Sequence, residues 1–482
     1  MIDNSPEPKN EEFFTVFSRA VEIGLDIIKT LERQNVPIES HLGYRTVRFQ
    51  NNGLPIFYDS GLKNYSQPFG LDNQSTFNCN QNPVFRDFIN FAKQSDTIRK
   101  HFEIPDNVEI PSLNANKETI FERLVLALIT NTIDLYIHKN RDGEFSSEWL
   151  KPYYREIERG IFDETLHVDI LVPILMLGFD FDSIWLNKKV ALFKMNNEAQ
   201  ESRAYLQDLD PKVHWAAANV TSHAFLFKDY HLKNHGYWGI QEEILRLIKE
   251  NDELINNYFA MLKVVTGFQT GYAQILVNPT MWTFHFMAHL PKFIRKSVRN
   301  YPSYFDDEFR NPIPIVELQQ LEKLKQLQSN QVSTNNKRIK LALRRLNNCF
   351  LRDNEEDKIL DAVIGLEALF GDSEKQEMTH KLALRAGSIS TLDSDNKYDP
   401  IEIFKAVKTI YSYRSAVAHG SKDVEKKRIV TIGKQKTTSI QFAIELLRKS
   451  IMILLENQKY LEPCNIDKDL LLNTKSINEK GK

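Results

Sequence analysis

Apolar residues recur along this chain at helical spacing, then at strand spacing, then at helical spacing again. From 13 to 34, "FFTVFSRAVEIGLDIIKTLERQ" repeats them every three or four positions, which predicts an amphipathic helix. The stretch to about residue 83 is rich in Asn, Gly and Ser and reads as loops and short strands. Helical spacing returns near 84–100 and at 118–138, "ETIFERLVLALITNTIDLYIH". In 168–195 β-branched and aromatic residues crowd together around a polar break at Asp180 to Asp182, predicting two or three strands. One more strand is expected within 214–232, and a helix over 241–265. Residues 1 to about 10 are polar and expected to be disordered.

A polar segment, 317–340, carries a Ser/Asn-rich break at 329–336. The main domain boundary is expected there. Beyond it the chain reads as almost pure helix to about residue 461. The expected organisation is a mixed α/β region at 1–330, made of one or two subdomains, a helical domain at 331–465 and a flexible tail at 466–482. The fold class is therefore an α-rich multidomain protein, with a mixed α/β N-terminal region followed by a C-terminal helical bundle.

Two helices of that bundle carry polar groups where packing faces run. In "DKILDAVIGLEALFG" (357–371), Ile359, Val363, Leu366 and Phe370 form one apolar line. Leu360 and Ile364 lead along its flank to Glu367, and Gly371 is placed to cap the helix. In "IEIFKAVKTIYSYRSAVAHG" (401–420), Phe404, Val407, Tyr411, Arg414 and Ala418 share one line, so Arg414 continues a packing face. A cation there needs a carboxylate or a phosphate beside it. His419 follows another line, with Lys408, Ser412 and Ser415. Residues five apart on an ideal helix diverge by about 140°. Arg414 and His419 therefore converge only if the last turn unwinds, which Gly420 permits, or if a second copy of the chain completes the site.

Composition narrows the function classes. The chain has 482 residues, enough for two or three domains, with 42% hydrophobic and 26% charged positions, as in soluble globular proteins. A net charge of −2 excludes a global basic field, so any RNA site must be a local patch. Cys79, Cys349 and Cys464 show neither a disulfide framework nor zinc spacing, which fits a reducing compartment. The apolar run "ILVPILMLGF" is too short for a membrane span and contains a proline. The start, "MIDNSPEPKN", is unlike a signal peptide, and the expected location is the cytoplasm. Phosphate-loop, dinucleotide and nucleophile-elbow patterns are missing, which argues against nucleotide hydrolysis and serine-hydrolase chemistry. No cofactor is expected.

The Arg414–His419 pair supplies the two groups that metal-free RNA cleavage needs. An imidazole moves a proton at the ribose 2′-hydroxyl or at the leaving 5′-oxygen. A guanidinium neutralises charge on the phosphorus transition state. The alternative is a capping histidine beside a surface arginine. Downstream, "KDVEKKR" offers Lys422, Lys426, Lys427 and Arg428 to an RNA backbone, or is a solvated loop. Tyr411 and Tyr413 either stack on a base or belong to the core. Two histidine pairs, His231/His235 and His285/His289, have the i, i+4 spacing of a helical metal face but lack the glutamate of H-E-x-x-H. They are taken as packing or surface residues, and no metal site is expected.

The segments "ALRRLNNCFLRDNEEDKILDAVIGLEALFG", "KLALRAGSI", "IYSYRSAVAHG" and "SIQFAIELLRKSIMILLENQKYL" together resemble the HEPN domain family, and look most like its ApeA-like branch. The resemblance covers about 342–461, a quarter of the chain, and is carried by "LEALF" and "YRSAVAHG". It implies a HEPN-like helical bundle that dimerises and sets two R-x4-6-H motifs in one cleft. It implies a metal-independent endoribonuclease, with tRNA among the candidate substrates, serving as a regulated toxin or antiphage defence effector. The family's catalytic pair maps onto Arg414 and His419, its polar residue after the arginine onto Ser415, and its acidic residue onto Glu367 as an orienting partner for Arg414. Other members are non-catalytic and serve dimerisation or RNA or protein binding. The region 1–330 resembles, more faintly, the segments preceding such domains, which implies a sensor for a phage or cellular trigger.

Overall fold

A computed structural model describes residues 7–106, 116–140, 144–205, 220–306, 313–372, 377–394, 398–420 and 424–472. The architecture is mixed α/β with helix predominating. Helix α1 (Glu11–Arg33) opens it, capped by the Asn10 side chain, which accepts from the Phe13 N–H at 2.9 Å. Its apolar stripe buries Phe13, Phe17, Val21, Leu25 and Ile28. Phe13 stacks on Phe88 and Phe91 at 5.8 and 5.9 Å. Each such ring contributes about 1.5–3 kcal/mol on full burial. Of the stretch expected to be disordered, residues 1–6 lie outside the described residues, while residues 9 and 10 are held. The N–H groups of Lys9 and Asn10 donate to the buried Glu158 carboxylate, which also pairs with Arg155.

Strands β1 (Arg45–Phe49) and β2 (Pro55–Asp59) make a separate antiparallel hairpin. The helix expected near 84–100 is two helices, α2 (Pro83–Gln94) and α3 (Asp96–Phe102), because the Ser95 hydroxyl caps the second. Helix α4 (Lys117–Lys139) matches its periodic segment. Helix α5 (Ser147–Phe162) is an addition, and its buried face includes the charged Arg155, Glu158 and Arg159.

A six-stranded antiparallel sheet follows. Its strands are β3 (Thr165–Pro173), β4 (Ser183–Trp185), β5 (Val190–Lys194), β6 (His223–Lys233), β7 (Tyr272–Pro279) and β8 (Ile294–Asn300), in the order β8-β7-β3-β6-β5-β4. Strands β7 and β8 add to those expected. In β3, Leu166, Val168 and Ile170 alternate inward, whereas its last four residues are all buried because both faces are covered there.

Helix α6 (Gly236–Thr266) lies across one face. Tyr258 and Phe259 meet Phe225 at 5.7 and 5.2 Å. The other side of α6 packs on α7 (Leu318–Thr334) and α8 (Lys337–Leu351). The Ser/Asn-rich break thus falls at the end of one helix and the start of the next. Asn335, at φ 45°, closes α7, and the Asn336 side chain caps α8. A single apolar cluster runs across this joint, from Phe225 on the sheet through Leu262 to Leu343 and Leu447.

The long helices that follow are α9 (Glu355–Phe370), α10 (Met378–Ile389), α11 (Pro400–Ala418) and α12 (Ser439–Glu456). Between the last two, where almost pure helix was expected, stands a hairpin of β9 (Ile429–Ile432) and β10 (Gln435–Thr438). Gly433 turns it at φ 57°, in the left-handed region that side chains disfavour. The tail expected to be loose from 466 is held as far as Leu472. Ile466 is buried and Arg385 grips Asp467 at 2.6 and 2.9 Å. Among the described residues no helix is long and apolar enough to cross a membrane.

Candidate functional site

Helix α11 begins at Asp399, whose carboxylate accepts from the Ile401 N–H at 2.7 Å, with Pro400 in the first turn. Its buried line is Ile403, Ala406, Val407, Ile410, Tyr413 and Ala416. The line expected from spacing alone is the flank of this one. Val407 is buried, Phe404, Tyr411 and Arg414 are half-buried, and Ala418 is exposed. Spacings of three and four run from Val407 in either direction, and the crossings with α9, α10 and α12 select the Tyr413 side. Tyr413 is accordingly core. On α9 the expected line holds, with Ile359, Val363, Leu366 and Phe370 all buried and Glu367 half-buried beside them. Gly371 caps α9 with extended backbone rather than a left-handed turn.

Arg414 projects over the Tyr411 ring, its guanidinium carbon 5.8 Å from the ring centroid. Its Nε is buried without a hydrogen-bond partner. Among the described residues Arg414 forms no ion pair, so the direct Glu367 contact is not made. Tyr411 stands between the two instead. Its phenol is pushed above its ordinary value by burial first, then by the Glu367 charge and a hydrogen bond with that carboxylate, while Arg414 and a hydrogen bond with Thr379 oppose the rise. The Tyr411 ring thus lies beside both the Glu367 charge and the Arg414 guanidinium.

His419 is the C-cap of α11, with its N–H donating to the Ser415 carbonyl at 3.1 Å. Gly420 follows at φ 61°, in the left-handed conformation that ends helices. The imidazole is exposed, and among the described residues it has no hydrogen-bond partner. Among the described residues nothing joins His419 to Arg414 within one chain. Ser415 is half-buried between them in sequence.

The basic segment divides. Lys422 lies outside the described residues. Lys426 is exposed and Lys427 half-buried on a one-turn helix, Val424–Lys427. Arg428 pairs with Glu355 at 2.8 Å, which neutralises the charge expected to face RNA. Two residues given no role in the sequence reading, His380 and Lys408, meet Phe404, about three turns before Arg414 on α11. The His380 ring meets it at 5.5 Å and the Lys408 ammonium lies 4.9 Å from its centroid. The i, i+4 spacing of Phe404 and Lys408 was the available signal for the second; His380 comes from α10 and had none.

Neither histidine pair lies on one helical face. His231 is on β6 and His235 precedes α6, while His285 and His289 lie in the loop between β7 and β8. Cavities of about 490 and 400 Å³ lie elsewhere, around Phe268, Cys349 and Ile440 and around Ile389, Phe442 and Lys449. Compared with protein-family models, curated proteins and solved structures, the chain matches none.

Proposed function

We propose that the C-terminal helices form a HEPN-like bundle acting as a metal-independent endoribonuclease. The observation that carries this reading is the Arg414 guanidinium, whose buried Nε is unpartnered five residues from an exposed helix-end imidazole. Among the described residues the guanidinium has no ion-pair partner, and a phosphate would supply one. His419 is the acid/base at the 2′-hydroxyl or leaving oxygen, and Arg414 stabilises the pentacoordinate phosphorus. Tyr411 and Glu367 position Arg414, Ser415 assists, and Lys422, Lys426 and Lys427 attract the backbone. Attack by the 2′-hydroxyl leaves a 2′,3′-cyclic phosphate and a 5′-hydroxyl. In this reading residues 1–330 sense a phage or cellular trigger in the cytoplasm, and no membrane takes part.

Because the two side chains do not meet within one chain, the reading includes a C₂ dimer through the bundle, with Arg414 of one copy facing His419 of the other. Mixing inactive Arg414→Ala and His419→Ala chains tests it. One site of each mixed dimer regains both groups, so cleavage should return on mixing, with cyclic-phosphate ends found by RNA-end sequencing. No cleavage by the parent chain, in any RNA pool, leaves the second reading, a non-catalytic dimerisation or binding module. That reading is favoured by the separation of Arg414 from His419 within one chain.

A further inference from the structure

A second polar cluster lies far along the chain from α11 and does not depend on the ribonuclease reading. His41 sits in the loop between α1 and β1, while Asp134 and His138 lie one turn apart on α4 and share a face. His41 Nε2 is 2.9 Å from Asp134 Oδ2, and His138 Nε2 is 3.4 Å from Asp134 Oδ1. One donor atom from each residue falls within 4.8 Å of the other two. Asp134 is only 1% exposed, so its carboxylate is committed to these neighbours.

A fourth group lies near, outside that 4.8 Å set. His289, in the loop between β7 and β8, brings its ring within 5.9 Å of the His138 ring. Its Nδ1 is buried and without a hydrogen-bond partner. An imidazole nitrogen in that state is an unused donor or an unused lone pair. The surroundings hold the other groups in place. The Tyr65 N–H donates to Asp134 Oδ1 at 2.8 Å, and Tyr44 stacks on His41 at 4.3 Å. Oriented carboxylates and seated rings of this kind accompany metal ligands.

We propose that His41, Asp134, His138 and His289 bind one Zn²⁺ ion. Three imidazoles and one carboxylate match the donor preference of zinc, and four protein ligands close a tetrahedral site, as structural zinc requires. The donors replace present hydrogen bonds, including that of His138 Nε2 to the Lys63 carbonyl at 2.9 Å. Each coordinating nitrogen gives its lone pair to the ion and carries its proton on the other ring nitrogen. The ion would staple three segments distant in sequence: the loop after α1, helix α4 and the loop leaving the sheet.

The test uses the full chain, stripped with chelator and desalted. Zn²⁺ titrated by calorimetry should bind at one per chain and raise the melting temperature. Co²⁺ in its place should give the visible bands of a tetrahedral N/O site. Asp134→Asn and His289→Gln keep side-chain volume and should each weaken binding by tenfold or more. His231→Gln, outside the cluster, should bind like the parent. Absence of Zn²⁺ binding by the parent means a hydrogen-bonded network only and overturns the proposal. Parental affinity in both Asp134→Asn and His289→Gln, or octahedral Co²⁺ spectra, also overturns it.

Discussion

At the scale of the residue, the site separates chemistry from packing. His419 is exposed and caps α11 through its backbone, so His419→Ala should cost about 1 kcal/mol or less. The same change removes the proposed proton-transfer group and should slow RNA cleavage by about 10²-fold or more. A thermal melt and a cleavage rate decide the matter; a variant that cuts at the parental rate makes His419 a helix-end residue only. Arg414 lies on the flank of the buried line rather than on it, so Arg414→Ala should also leave the melt within about 1 kcal/mol of the parent. Arg414→Lys keeps the charge and loses the planar donor set, and its rate should fall well below the parent's. Equal rates in the parent and Arg414→Lys would show that only charge matters at this position.

At the scale of the element, α6 carries an unusual burden. Lys263 is fully buried, donating to Asn347 Oδ1 at 2.5 Å, and burial pushes its ammonium down to about 7. Below that pH the ammonium is charged in both states, and the folded chain bears the full desolvation cost. Between about 7 and the ordinary value of 10.5, the unfolded chain binds the proton more tightly, so stability rises with pH. The slope reaches at most about 1.4 kcal/mol per pH unit. Melts from about pH 7 to pH 9 should therefore climb more steeply for the parent than for Lys263→Met, and equal slopes would rule the effect out. Elements like α1, α4 and α6 were legible because each repeats apolar residues at helical spacing over five turns or more. Helix α5 was hidden because Arg155, Glu158 and Arg159 occupy its buried face. The β9–β10 hairpin was present as an alternation, Val430 and Ile432 inward and Ile429 and Thr431 outward with Gly433 at the turn, but four-residue strands between long helices are easily outweighed. In the candidate site, the helix-end position of His419 was readable from Gly420. The Glu367–Tyr411–Arg414 arrangement was not, because it depends on how α9 crosses α11. His289 meeting His138 depends on the whole intervening fold.

At the scale of the whole molecule, the proposed cleavage chemistry needs only side chains of α9 and α11. RNA cutting should continue in excess EDTA, and loss of activity restored by Mg²⁺ would refute the mechanism. A zinc ion in the His41 cluster would stand outside that chemistry. The apolar cluster that passes from Phe225 through Leu262 to Leu447 has a further consequence, for signalling. Close-packed interiors do not bend at a hinge; they switch by discrete repacking. Under the proposed reading of residues 1–330 as a sensor, the message would cross α6 as strain in a stiff strut, with side chains exchanging rotamers while the envelope keeps its shape. Small-angle scattering curves of the resting and triggered protein should therefore superimpose at equal oligomeric state, even as methyl resonances along α6 move.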